Sequence, residues 1–270
     1  MYIRMLGTGN ALVTECYNTC FVMESNHQYL LVDGGGGNTI LQQLKKVNIQ
    51  IEDIHHIFVT HKHIDHIMGI IWILRVIAQK INQKQYQGEA YIYAHEEVIH
   101  ILELLASTLL NKKETQHIGS KIHFITVEDG QTINIINYPI TFFDIHSTKA
   151  KQFGFSLILK NGQRLTCCGD EPYNEYEKKY VENATWLMHE AFCLDAQADI
   201  FHPYEKHHST VKDASQLAQS YHIPHLIIYH TEDSHIHHRK ERYKKEAQQY
   251  YMGKVYIPND LETIEVEENI

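Results

Sequence analysis

Short apolar runs recur along the whole chain and constrain its fold more than any other feature. Each run is four to eight residues long and rich in β-branched or aromatic side chains. This composition is typical of buried β-strands. Twelve such runs are YIRML, CFVME, YLLVD, HIFVT, AYIYA, KIHFITV, ITFFDI, FGFSLIL, RLTCCGD, TWLMHE, HLIIYH and KVYIP.

Helical patterns lie between these runs. The segment 66–81 is apolar nearly all round, which indicates a buried helix. The segment 239–251 is polar, and we expect it to form an exposed helix. Strands and helices mixed in this order predict an α/β protein with layered sheets. We expect one domain over residues 1–270, because no Pro/Ser-rich linker or internal repeat divides the chain. Further helices are predicted at 38–47, 96–110 and 210–221.

Ionisable side chains follow several of the predicted strands directly. A rigid sheet holds its strand ends in place, and functional sites are built from the loops that converge there. These positions are therefore candidates for a common site: Asp33, His61, His146, Asp170, His189 and His230.

The densest polar motif is THKHIDHIMG, over residues 60–69. In extended chain, His61 and His63 point the same way because they are two residues apart. Asp65 and His66 fall where the chain turns into the next helix. One loop could then offer two ligands to each of two neighbouring metal ions. The alternative is a polar helix start in which Asp65 caps backbone amides.

Four donors on one loop cannot complete two metal sites. His146, Asp170 and His230 are the natural additions, since each stands at the end of its own strand. Any one of them alone would more often be a hydrogen-bonded structural residue. Three in series after the dense motif favour metal binding.

These motifs carry a family resemblance. The order H-x-H-x-D-H, a single His, an Asp after a strand and a last His resembles the metallo-β-lactamase superfamily. Within it, "HEA" at 189–191 and "HST" at 208–210 are similar to the ribonuclease Z and phosphodiesterase branch, with Phe192 where the branch has Thr. "DIHSTKAKQFGFSL" is similar to its third-motif His followed by a Gly-aromatic strand, and "CCGDEP" resembles its bridging-Asp motif. The resemblance runs from Leu6 to the C-terminal strand.

The resemblance implies an αββα sandwich of two mixed sheets flanked by helices. It implies a hydrolase with two divalent metal ions and a bridging hydroxide as nucleophile. Zinc is the first expectation, with manganese or iron also compatible with a mixed His and carboxylate set. The implied ligands are His61, His63 and His146 for one ion, Asp65, His66 and His230 for the other, and Asp170 between them.

The resemblance also implies roles in catalysis. Asp65 would accept a hydrogen bond from the nucleophile. His208 would protonate the leaving oxygen, with Glu190 orienting it; a purely structural His208 is the alternative. His189 could support the same loop. Asp33, before the glycine run 34–37, more naturally orients the metal loop than binds phosphate, because the run lacks the Lys and Ser/Thr of a P-loop.

Charge and composition limit the partners. The formal net charge is −9, with 24 Lys and Arg against 33 Asp and Glu. Binding a folded polyanion normally draws on many basic contacts. Ribonuclease Z enzymes usually carry an RNA-gripping arm between the third-motif His and the bridging Asp. Here only 24 positions separate His146 and Asp170 (170 − 146), so we expect the arm to be missing.

The favoured function is therefore a phosphodiesterase acting on a small phosphodiester or nucleotide. The alternatives are ribonuclease Z-type transfer-RNA processing, hydrolysis of a lactone or thioester, and metal binding without hydrolysis. Five unevenly spread cysteines are a poor disulfide framework, which favours a reducing cytoplasm. We expect no membrane partner, and a homodimer is compatible with the sequence.

Overall fold

Two seven-stranded β-sheets form the centre of the protein in a computed structural model that describes residues 1–267. In the first sheet the strand order is β14-β1-β2-β3-β4-β5-β6, and in the second it is β13-β12-β11-β10-β9-β8-β7. The strands are β1 Tyr2–Gly7, β2 Cys20–Ser25, β3 Gln28–Val32, β4 Ile54–Phe58, β5 Ala90–Ala94, β6 Ile122–Thr126, β7 Thr132–Ile135, β8 Tyr138–Asp144, β9 Phe153–Ile158, β10 Arg164–Cys167, β11 Trp186–Glu190, β12 His225–Tyr229, β13 Lys254–Tyr256 and β14 Thr263–Glu265.

Both sheets are mixed. In the first, β14, β1, β2 and β3 pair antiparallel, and β3 to β6 pair parallel. In the second, β7 to β10 pair antiparallel, and β10 to β13 pair parallel. All twelve predicted strands are present. The sequence reasoning missed β7 and β14, which are only four and three residues long.

The helices cover the outer faces of the sheets, so the predicted αββα sandwich is confirmed. The predicted buried helix is α2, and ten of its residues are buried. No helix within residues 1–267 has the length and apolar character needed to cross a bilayer. The predicted domain 1–270 extends over 268–270, which lie outside the described residues. The helices are α1 Thr39–Lys46, α2 Ile64–Asn82, α3 Glu96–Leu109, α4 Lys112–Thr115, α5 Lys178–Val181, α6 Ala198–Phe201, α7 Val211–Ser220 and α8 Arg239–Ala247.

The main core lies between the sheets. There the ring of Phe58 meets Phe142 at a centroid distance of 4.7 Å and meets Phe155 edge-on at 6.0 Å. Tilted and edge-to-face pairs of this kind add to the free energy of apolar burial. Two further apolar clusters lie where helices pack on the outer faces of the sheets. The loops at the strand ends are thus held by a rigid, doubly covered scaffold.

Helix α8 differs from the prediction of an exposed polar helix. Arg239, Tyr243 and Ala247 recur every four residues and are buried. The Arg239 guanidinium donates to Thr231 Oγ1 at 2.7 Å and to Thr8 Oγ1 at 2.9 Å. The prediction failed because a buried arginine with side-chain partners looks like a surface residue in a sequence.

Helix α2 touches the glycine run through backbone atoms. A Cβ atom added to Gly69 would lie 1.8 Å from the Gly34 carbonyl oxygen. Gly69 N donates to Gly35 O at 2.8 Å, and Gly34 N donates to His66 O at 2.9 Å. The start of α2 is therefore fixed against the loop after β3, and the glycines permit an approach that no other residue allows.

We predict that Gly69→Ala lowers the free energy of unfolding by about 2–4 kcal/mol, because the added methyl group overlaps backbone that cannot move aside. Gly37→Ala is the matched control: a Cβ atom there meets nothing within 4 Å. Denaturant titration of the two variants and the wild type measures the difference. Equal stability of the two variants would contradict the packing argument.

Candidate metal centre and active site

The predicted site residues stand where strands end. Asp33 follows β3, His146 lies two residues beyond β8, and His230 follows β12. These three residues have positive φ angles of 59°, 53° and 57°. Non-glycine residues rarely adopt this conformation, and it persists where the surrounding structure imposes it. The backbone thus adopts the rare left-handed conformation at three of the positions that sequence reasoning selected.

The Asp33 carboxylate organises the metal-binding loop. Its Oδ1 accepts from Thr60 N at 2.8 Å, and its Oδ2 accepts from Thr60 Oγ1 and His66 Nδ1, each at 2.8 Å. Thr60 Oγ1 gives its only proton to Asp33, so it accepts from His61 Nδ1 at 2.9 Å. Both imidazoles therefore carry a proton on Nδ1 and present Nε2 to the site. Asp33 thus orients the metal loop, as predicted.

Asp170 lies at the centre of the cluster. Its Oδ2 is 3.5 Å from His61 Nε2 and 3.4 Å from the Nε2 atoms of both His66 and His230. Asp65 Oδ2 is 3.4 Å from His66 Nε2 and 3.6 Å from His230 Nε2. All five side chains are buried. Chain segments far apart in sequence thus converge on one small volume, as the sequence predicted.

His63 lies at the edge of this cluster. Its Nδ1 is 2.8 Å from His61 Nε2, and its side chain is only partly buried. The two nitrogens are within hydrogen-bond distance, and within residues 1–267 His63 belongs to none of the close groups of ligand atoms.

His146 is the predicted ligand whose side chain lies well outside the cluster. Its side chain is exposed, and its ring stacks on Tyr176 at a centroid distance of 4.0 Å. Within residues 1–267, no group of closely spaced ligand atoms includes it. Its backbone is at the expected strand end, held by Asn174 Nδ2, which donates to Ile145 O at 2.6 Å. The side chain points elsewhere because the stacking partner Tyr176 is adjacent.

His208 and Glu190 form a buried pair beside the cluster. Glu190 Oε1 accepts from Ser209 N, and Oε2 lies 3.7 Å from His208 Nδ1. Burial raises the pKa of Glu190 well above its usual range. Burial, together with His230, lowers the pKa of His208 to about 3. The proton is thus favoured on Glu190 before a charged substrate enters.

His189, which sequence reasoning placed near this pair, points away from the cluster. Its Nδ1 donates to the Glu190 carbonyl at 2.7 Å, and Nε2 is buried without a hydrogen-bond partner among the described residues. Its ring contacts the backbone of its own strand, and the prediction that His189 shares the common site is wrong.

A cleft of about 370 Å³ opens onto Asp65, Asp170, His208 and His230. Its mouth carries residues that the sequence reasoning missed: Leu12, Ile64, Lys149 and Lys206. Ile64 lies within the THKHIDHIMG motif but is not a ligand type, and nothing in the sequence marked the other three as functional. Tyr229 was also missed, although it directly precedes His230; its hydroxyl donates to the Gly169 carbonyl beside Asp170.

The donor set fits divalent metal ions. His66 Nε2 and His230 Nε2 are buried and have no hydrogen-bond partner among the described residues. Although burial opposes ionisation, the neighbouring imidazoles lower the pKa of Asp65 and Asp170. Asp65 and Asp33 likewise outweigh burial and raise the pKa of His66. Buried carboxylates facing orphaned imidazole nitrogens require positive charge, which divalent metal ions supply.

Comparison with known proteins agrees with this fold. A protein called ribonuclease Z from Halalkalibacterium halodurans is 24% identical over 307 aligned residues, covering 94% of this chain and 95% of that protein. The crystal structure of the metallo-β-lactamase fold protein YhfI from Bacillus subtilis gives a TM-score of 0.79 at 17% identity, covering 97% and 98% of the two chains. Human tRNase Z, short form, gives a TM-score of 0.75 at 20% identity, covering 99% and 100%.

Fold, site and relatives together define a metal-dependent hydrolase of the metallo-β-lactamase superfamily that is similar to ribonuclease Z enzymes. Residues 1–252 match the family described as Anti-Pycsar protein Apyc1, and the chain belongs to that family.

We predict that Asp33→Asn weakens metal binding by about 10–100-fold. One end of the new amide carries N–H donors and would face the protons of Thr60 or His66. The His66 ring would then move its proton to Nε2 and lose the lone pair that faces the site. Competition titration with a chelator measures the affinity, and circular dichroism checks the fold. Asp53→Asn, at an exposed carboxylate, is the control and should bind metal like the wild type.

Proposed function

We propose that this chain is a phosphodiesterase that hydrolyses small phosphodiesters, including cyclic or short nucleotides. The observation that carries the proposal is the juxtaposition of the buried His and Asp cluster with the His208–Glu190 pair in one cleft. Such a pair serves a reaction whose leaving group needs a proton. Hydrolysis of a phosphodiester releases an alkoxide of this kind.

We propose two divalent metal ions per chain, zinc most simply, with manganese or iron as alternatives. His61, His63, Asp65, His66, Asp170 and His230 would hold them. His146 remains a predicted ligand whose ring would have to leave Tyr176. When bound, the ions would lower the pKa of a water molecule and neutralise charge on the phosphate.

Two residues of the chain then act on the two reacting oxygens: Asp65 on the attacking water and His208 on the leaving group. Asp65 stays ionised and accepts a hydrogen bond from the attacking water, which fixes its direction. As the new oxygen–phosphorus bond forms, the bond to the leaving oxygen breaks. His208 gives that oxygen a proton, and Glu190, whose Oε2 lies 3.7 Å from His208 Nδ1, would orient the ring once the two atoms approach to hydrogen-bond distance. The arriving negative charge of the substrate favours the proton on His208.

The cleft and its surroundings support a small substrate. Between His146 and Asp170 the chain forms only a short turn at 147–152, β9, β10 and the five-residue turn between the two strands. No arm protrudes in that interval, and the net charge is −9. A cleft of about 370 Å³ is the size of a small-ligand site.

Transfer-RNA processing is a second candidate, favoured by curated relatives called ribonuclease Z. Hydrolysis of a lactone or thioester explains less of the site. Neither reaction releases an alkoxide from phosphorus, which is the leaving group that the His208–Glu190 pair would protonate. We also propose a cytoplasmic location and allow for a homodimer.

Side-by-side kinetics test the substrate class. We expect a higher kcat/KM for bis-p-nitrophenyl phosphate and for cyclic nucleotides than for a precursor transfer RNA at physiological salt, because few basic contacts are available to hold the RNA. Efficient cleavage just after the acceptor stem, with feeble activity on the small esters, would instead establish the ribonuclease Z function.

We predict that His208→Ala reduces turnover of an alkyl phosphodiester by about a hundredfold or more, but affects a nitrophenyl ester far less. Nitrophenolate leaves without a proton, so the missing imidazole costs little there. His202→Asn, at an exposed histidine that does not line the cleft, is the control. Metal content should be unchanged in both variants. An equal loss on the two esters would mark His208 as structural.

A further inference from the structure

Lys149 places a positive charge inside the cleft. Its Nζ lies 3.5 Å from His208 Nε2, and the residue lines the cleft together with Asp65 and Asp170. Within residues 1–267 no carboxylate oxygen lies within 4.0 Å of this ammonium group. By contrast, Lys62 is paired with Glu97 at 2.5 Å. Lys149 is thus a cation at the site without a carboxylate partner.

The backbone around Lys149 is held in place from both sides of the cleft. Ser147 Oγ accepts from Lys149 N at 3.1 Å and donates to Glu171 Oε1 at 2.6 Å, next to Asp170. The Thr148 hydroxyl lies 2.8 Å from His207 Nδ1, next to His208. The turn is therefore tied to the Asp170 loop and to the His208 loop. This arrangement fixes the position from which the lysine reaches the reacting atoms.

We propose that Lys149 binds a non-bridging oxygen of the phosphodiester and thereby gives the cleft its preference for anionic over neutral substrates. The inference rests on the proposed phosphodiesterase function. An ammonium group beside the proton donor lies close to both the phosphate and its leaving oxygen. A charge placed there in advance stabilises the transition state without further reorganisation. The ligand and catalytic roles that the family resemblance implies do not include this lysine.

Lys151 offers a matched control. It carries the same charge two residues away, but its Nζ lies over the Phe153 ring at 5.4 Å and it does not line the cleft. Lys149→Gln and Lys151→Gln therefore remove the same charge from the same segment. Lys149→Arg keeps the charge and tests rescue.

Kinetics on bis-p-nitrophenyl phosphate give the first measurement. We expect Lys149→Gln to lower kcat/KM by about a hundredfold or more. Lys149→Arg should recover to within about tenfold of the wild type, and Lys151→Gln should match the wild type. Equal values for the two Gln variants would overturn the assignment of Lys149 while leaving the phosphodiesterase function intact.

Binding of inorganic phosphate gives the second measurement and does not depend on turnover. Calorimetry on the metal-loaded protein should show phosphate binding about tenfold weaker in Lys149→Gln and unchanged in Lys151→Gln. If the wild type cleaves no phosphodiester, the proposed function fails, and this titration still decides whether Lys149 binds the anion. Unchanged phosphate affinity in Lys149→Gln would refute the inference.

Discussion

The Asp33 carboxylate makes three hydrogen bonds on which the site depends. It holds the Thr60 amide and hydroxyl and the His66 ring. Through Thr60 it also sets the proton on His61. Without these bonds, neither imidazole would be held in the tautomer with its proton on Nδ1. The Nε2 atom that faces the site could then carry the proton and would have no lone pair for a metal ion. A single buried carboxylate, placed in a left-handed backbone conformation, thus determines which atoms of the metal loop can act as ligands.

The site is assembled from residues of both sheets. Parallel strands in each sheet end at one edge, and the residues that follow them meet there. Asp33 and His61 come from the first sheet, and Asp170, Glu190 and His230 from the second. The aromatic core between the sheets fixes the position of one sheet relative to the other. The distances within the cluster therefore depend on the packing of that core.

The strands and the ligand motif were predictable because their signals are local. Buried strands need short apolar runs, and the H-x-H-x-D-H loop occupies six consecutive positions. Strands β7 (TINI) and β14 (TIE) give no such signal because polar residues interrupt their apolar ones. Arg239 contacts Thr8, 231 residues away, and Lys149 contacts His208, 59 residues away, so the roles of both residues follow only from the fold. The His146 ring shows the opposite case: the strand end is where the sequence places it, but a neighbouring tyrosine decides the rotamer.

The contact between Gly34 and Gly69 has a consequence for how such a scaffold diversifies. The ligand loop and the start of α2 are held backbone to backbone, and this part of the molecule cannot accept even one extra methyl group. The mouth of the cleft is built differently: Leu12, Lys149 and Lys206 project from loops and take no part in that contact. Substitutions at the mouth can therefore accumulate without disturbing the ligand frame. Related chains can thus exchange one substrate for another while the reacting centre stays the same.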